Sequence, residues 1–544
     1  MSLAGAPRDR FRIAHNWTTL ASKHDALHPT EAYQATLDLL PQFIWLGATR
    51  DQRYEDIKTV QTLAVDAALA AILSSNYSLA LEWLEHARCI VWNQSLMLRS
   101  PLDQLRSSHP SLATRLQNVA DRLHTAGSDS RESRAPSSST TPEQVAQEHR
   151  RLAKEYNGLL SEARALPGFE DFLRPLKLHR LVDAAQSGPI VVINCHEDRC
   201  DALVISPRQT VVNHIPLANF NGRKAQSACS ELRIFVDDTI HMERGTERRP
   251  QADAGEEPGF EVVLASLWYD VVKPILDFFG YAESIPLGDL PHITWCPTGA
   301  MTFLPLHAAG DYDQPQSRVF NYVISSYTPT LTALLESTPC SLSQDTRVLA
   351  IGQAATPGHT PLPGTTLEIA RVRNCTEGKA AYTQLMDEAA TTTTVLNEME
   401  QHDWVHLVCH AHQNVGNATE SGFFLHNGVL DLASINRRSL KGKGLAYLSA
   451  CQTATGDEEL ADEAVHLASG MLMAGYTSVI ATMWSVHDED APGVATAVYS
   501  QLMEDGKLGN GEAGRALHHA VAELRDNIGE DQFVRWVPFI HIGS

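Results

Sequence analysis

Between residues 11 and 125, apolar residues recur at helical spacing. Residues 30–40, 67–73 and 76–87 place small and large apolar side chains three and four positions apart, which predicts amphipathic helices. The many alanines in these runs would let neighbouring helices approach closely. Residues 127–141, Gly-Ser-Asp-Ser-Arg-Glu-Ser-Arg-Ala-Pro-Ser-Ser-Ser-Thr-Thr, offer nothing to bury and predict a disordered linker. Helical spacing resumes at Pro142 and continues to Ala185, with a break at Leu166-Pro167-Gly168-Phe169.

At Gly188-Pro189 the period changes. Residues 189–194, 202–205 and 210–212 are short β-branched runs separated by turn residues, which predicts adjacent strands. From Phe260 onward, helical and strand patterns alternate. Residues 267–276 are amphipathic, and strands are expected at 292–297, 348–352, 404–409, 445–450 and 477–483, with helices at 364–377, 391–401 and 460–474. That rhythm predicts a mostly parallel sheet flanked by helices. The expected domains are therefore a helical region at 1–125, a linker at 126–142, a helical connector at 143–187, a small β-rich segment at 188–259, and an α/β domain at 260–544.

In parallel sheets, sites form at the carboxyl ends of strands. Trp404-Val405-His406-Leu407-Val408-Cys409 delivers His410, and Leu445-Ala446-Tyr447-Leu448-Ser449-Ala450 delivers Cys451. An imidazole beside a thiol generates a thiolate nucleophile and later protonates the leaving amine. The N–H groups of Cys451 and Ala411 would serve as oxyanion donors if both loops face one pocket. His406 and His412 flank His410 closely, and spacing does not choose among the three. A buried structural cysteine and a structural histidine are the alternative reading of the pair.

Charge and cysteine content narrow the field. The formal net charge of -22 argues against nucleic acid and against anionic membrane surfaces as partners. Nine cysteines, several of them inside apolar runs, suggest an intracellular, reduced protein. Met1 to Arg12 is charged and lacks the apolar core of a secretory signal. Residues 467–486 carry no formal charge, but Ser469, Gly470, Gly475, Thr477, Ser478 and Thr482 interrupt the run, so a buried helix followed by a core strand is expected there instead of a membrane span. Cys195-His196-Glu197-Asp198-Arg199-Cys200 lacks the four ligands of a zinc site and reads as a turn. No metal and no cofactor is expected.

Taken together, His406-Leu407-Val408-Cys409-His410-Ala411 and Leu448-Ser449-Ala450-Cys451-Gln452-Thr453-Ala454 resemble the His and Cys boxes of the CHAT family, caspase-like domains associated with tetratricopeptide repeats. Further shared motifs are Phe303-Leu304-Pro305-Leu306-His307-Ala308, Leu362-Pro363-Gly364-Thr365 with Glu368, Asp457-Glu458-Glu459-Leu460-Ala461, Met483-Trp484-Ser485-Val486 with Asp488, and Trp536-Val537-Pro538-Phe539. The helices around residues 67–87 resemble such a repeat too, although no clean 34-residue period emerges. The resemblance implies a caspase–separase-type fold and a cysteine endopeptidase with His410 and Cys451 as its dyad. It also implies an acidic pocket for a basic residue before the scissile bond, with Asp457 or Asp462 as candidates and Trp484 as a pocket wall. The helical amino-terminal domain would recruit a protein or peptide substrate. The family usually has glycine after the histidine. If the backbone at Ala411 needs a positive φ, the methyl group costs about 1 kcal/mol. The rival expectation is an inactive scaffold that keeps the fold without turnover.

Overall fold

The computed structural model describes residues 7–24, 27–48, 50–98, 102–127, 142–243, 259–283, 288–335, 340–342, 345–413, 421–438, 440, 442–450, 467–508 and 511–544. The chain divides into two compact units, Met1–Leu178 and His179–Ser544.

Every regular element among the described residues of the first unit is a helix. Leu63–Leu73 and Tyr77–Ala87 form a helical hairpin, and Asn76 caps the second helix by accepting the Leu79 N–H at 3.1 Å. Pro142–Arg164 belongs to this unit and is not a separate connector. Its Leu152, Tyr156 and Leu159 share one buried core with Leu112, Leu116 and Leu123 of helix Pro110–Gly127, and an amphipathic helix settles where its apolar stripe is covered. The linker expected at 126–142 lies almost wholly outside the described residues.

The second unit is built on one eleven-stranded sheet. Its strands are β1 (Ile190–Cys195), β2 (Cys200–Ile205), β3 (Val212–Leu217), β4 (His292–Pro297), β5 (Ile324–Tyr327), β6 (Arg347–Gly352), β7 (Ala381–Met386), β8 (Trp404–Val408), β9 (Lys443–Ser449), β10 (Tyr476–Thr482) and β11 (Phe539–Gly543). The spatial order is β3-β2-β1-β4-β5-β11-β10-β9-β8-β6-β7. Pairing is parallel from β6 to β10 and from β1 to β5. The β1-β2-β3 meander and the β10-β11 pair are antiparallel. Strands β1 and β8 are buried along their whole length, as expected of strands covered on both faces.

The β-rich segment expected to stand apart at 188–259 is continuous with this sheet. Ile190 of β1 is in register with Thr294 of β4, because a three-stranded patch this apolar would otherwise leave a bare hydrogen-bonding edge. The uncharged run at 467–486 resolves into helix Leu467–Ala474, Gly475 at φ +120°, and β10. Among the described residues, no helix is long and apolar enough to cross a membrane.

Candidate functional site

Three parallel strands end level with one another. Val408 of β8 is in register with Gly352 of β6 on one side and with Ser449 of β9 on the other. Past these ends the chain leaves as Gln353, as Cys409-His410, and as Ala450, so one rim collects the candidates.

His410 is half-buried at this rim. Its Nε2 donates to the carbonyl of Thr360 at 2.7 Å, and its ring stacks on His359 at 5.1 Å and 27°. His359 in turn packs against Phe424 at 4.1 Å, and the Phe424 N–H bonds the His410 carbonyl at 2.8 Å. Among the described residues, Nδ1 of His410 has no hydrogen-bond partner. With the proton held at Nε2 by a carbonyl, the lone pair lies on Nδ1, which can accept a proton.

Burial separates the three histidines. His406 is sealed in the core, its Nε2 donating to Glu368 Oε1 at 3.0 Å and its ring stacked on Tyr447 at 4.7 Å. Burial, reinforced by the Glu368 carboxylate, raises the Tyr447 hydroxyl far above its usual pKa, so that group stays neutral. His412 is exposed in the two-residue strand Ala411–His412, its ring 6.3 Å from Phe424. Cys409 is buried in the core.

Ala411 pairs with Phe423 in a small antiparallel sheet, Ala411–His412 with Gly422–Leu425 and Gly428–Asp431. It is not among the residues with positive φ, so its methyl group meets no left-handed strain and the anticipated cost does not arise. Trp484 is 9% exposed; its indole N–H donates to the Val534 carbonyl at 2.9 Å and its ring meets Phe260 edge to face. Little of that ring is left to line a pocket, and core packing accounts for it. Cys451, Asp457 and Asp462 lie outside the described residues. The described chain stops beside them at Ala450, whose carbonyl accepts the Thr482 hydroxyl at 2.9 Å.

Motifs far apart in sequence meet around the rim. The Gly364 N–H donates to Asp488 Oδ2 at 2.6 Å, and a Cβ at Gly364 would lie 2.4 Å from the Asp488 carbonyl oxygen, so only glycine fits. The Met483 N–H bonds the Pro538 carbonyl at 2.9 Å, and His307 Nε2 bonds the Val537 carbonyl at 2.8 Å. Two features escaped the sequence reading. The Thr360 carbonyl is a backbone group and leaves no side-chain signal. Ser449 binds Glu368 Oε2 at 3.0 Å, and only the polar residue at the end of an apolar strand pointed to it.

The model of the CHAT domain family matches residues 262–544. A search of curated proteins finds no match. Among solved structures, separase in the separase–securin complex of Saccharomyces cerevisiae is 10% identical with a TM-score of 0.46, over 99% of this chain and 40% of that one. The Arg-specific cysteine proteinase gingipain R is 11% identical with a TM-score of 0.35, over 51% of this chain and 68% of that one. The complex of Porphyromonas gingivalis RgpB pro- and mature domains is 12% identical with a TM-score of 0.34, over 58% of this chain and 76% of that one. The chain thus spans well under half the length of the yeast chain it matches.

Proposed function

Because this chain belongs to the CHAT domain family, we propose that it is a cysteine endopeptidase using His410 and Cys451. The Cys451 thiol proton passes to His410 Nδ1 as the sulfur bonds to the scissile carbonyl carbon. The N–H groups of Ala411 and Cys451 receive the oxyanion. Collapse breaks the C–N bond while His410 returns the proton to the leaving amine. Water, deprotonated by the same imidazole, then hydrolyses the thioester and frees the thiol. Asp457 or Asp462 would receive a basic side chain before the cleaved bond, and the helical unit, read as a degenerate tetratricopeptide-like surface, would recruit the protein substrate. The reading places the protein in a reducing intracellular compartment, where the thiol stays free.

The observation that carries this reading is His410 itself. It is half-exposed, two residues past Val408, which is in register with the end of β9, and fixed at Nε2 by Thr360 so that Nδ1 is the basic nitrogen. The test is cleavage of a peptide library varied before the scissile bond by wild type and Cys451→Ala. Cleavage after Arg or Lys by wild type alone is expected. Equal inertness of both proteins would sink the peptidase reading in favour of a non-catalytic scaffold.

A further inference from the structure

Glu368 sits 1% exposed on helix Gly364–Thr376. Its two oxygens reach different strands. Oε1 accepts from His406 Nε2 of β8 at 3.0 Å, and Oε2 accepts from the Ser449 hydroxyl of β9, also at 3.0 Å. One carboxylate thus bridges the two strands that lead to His410 and to Cys451. Ser449 is the last residue of β9 and is in register with Val408, two residues before His410.

A buried carboxylate is costly to desolvate and persists only where hydrogen bonds hold it. The surroundings add to the cost, since the His406 Nδ1 and the hydroxyls of Tyr447 and Tyr499 are also buried without a partner among the described residues. Packing alone would be served better by an apolar residue. The segment bearing Glu368 has a further connection to the rim. Thr360, whose carbonyl fixes the His410 ring, lies eight positions earlier, and Gly364 between them is anchored to Asp488. Residues 360–368 therefore touch the His410 ring, the strand that carries it, and the neighbouring strand.

We infer that Glu368 is a positioning residue, setting the separation of β8 and β9 at the rim and through it the approach of His410 to the thiol. This rests on the dyad proposed above. Geometry is what matters in such a bridge, so reach should count for more than charge. Glu368→Gln keeps an acceptor and a donor at the same reach, whereas Glu368→Asp withdraws them by one methylene. A misplacement of that size costs on the order of 100-fold in rate. For peptide cleavage, Glu368→Asp should lower kcat on the order of 100-fold with KM unchanged, while Glu368→Gln should stay within about 10-fold of wild type.

A second readout does not need turnover. The rate of alkylation of Cys451 by iodoacetamide, followed against pH by peptide mass spectrometry, reports thiolate formation assisted by the imidazole. Its midpoint should rise in Glu368→Asp and stay near that of wild type in Glu368→Gln. Ser449→Ala removes one arm of the bridge and covers the case in which Glu368→Asp does not fold. It should lower kcat on the order of 10-fold, or shift the alkylation midpoint in the same direction. Variants that lower only the unfolding temperature, with kcat and the alkylation profile unchanged, would overturn the inference, as would Asp outperforming Gln. A wild type that cleaves nothing but whose alkylation profile moves with Glu368→Asp would reject the peptidase and keep the positioning role.

Discussion

The sheet holds two groups of histidines with opposite fates. Beneath helix Glu512–Ile528, a relay crosses four strands. His292 Nε2 bonds Ser326 Oγ, Ser326 Oγ bonds His541 Nδ1, and His541 Nε2 bonds Ser478 Oγ, each at 2.6 Å. Gly514 gives the helix room to seal it, since a Cβ there would lie 2.6 Å from Ser326 Oγ. Burial lowers His292 to about 4 and His541 to about 3, so both stay neutral in the fold. At the rim, His410 keeps one side-chain bond among the described residues, to Thr360, and is half-exposed. The same side chain is cement where its ring is held between strands and burial keeps it neutral, as at His541, whose two nitrogens both bond serine hydroxyls. It becomes a candidate for chemistry where one nitrogen is fixed and the other has no partner among the described residues.

Substitutions in the two groups test this contrast. The largest effect is expected from His410→Ala, which should lower peptide cleavage on the order of 1,000-fold or more, with stability to urea changed by no more than about 0.5 kcal/mol. A large loss of stability would put His410 with the cement. His541→Ala should do the reverse, destabilising the fold by about 3 kcal/mol in chemical denaturation because it leaves a cavity and removes the bonds His541 makes to the Ser326 and Ser478 hydroxyls.

The pH dependence follows from the same group. The folded-state values of His292 and His541 lie below the unfolded value near 6.5, so the unfolded chain binds more protons as pH falls. Their contribution is complete above about pH 6.5 and is lost progressively toward pH 4 and 3, at about 1.4 kcal/mol per pH unit for each ring. Urea midpoints measured between pH 7 and 5 should fall accordingly, and a His541→Leu variant should show a shallower slope. Gly364→Ala, which drives a methyl group against Asp488, should cost about 1–3 kcal/mol in the same assay. The smallest effect is expected from Ala411→Gly. With no positive φ at that position, the change should leave cleavage within about 3-fold and stability within about 1 kcal/mol of wild type.

Much of this organisation was legible in the chain itself. Strands rich in β-branched and aromatic residues, such as Trp404-Val405-His406-Leu407-Val408, alternate with helical periods, and that rhythm is a local property that announces a parallel sheet. The positions of His410 at a strand end and of Gly475 between helix and strand follow from the same local pattern. The reach of the sheet did not. Whether β1–β3 stand alone or continue onto β4, and whether helix Pro142–Arg164 joins the helices before it, depend on which apolar surfaces cover one another, and those partners are distant in sequence.

The division holds at the rim as well. Local pattern dictates which residue types reach the strand ends, because alternation and turn chemistry act over a few neighbours. Their environments came from the packing of the fold. It sealed His406 against Glu368, left His410 open with Thr360 at its back, and cleared Ala411 of strain, because burial and hydrogen-bond partnership come from groups far along the chain.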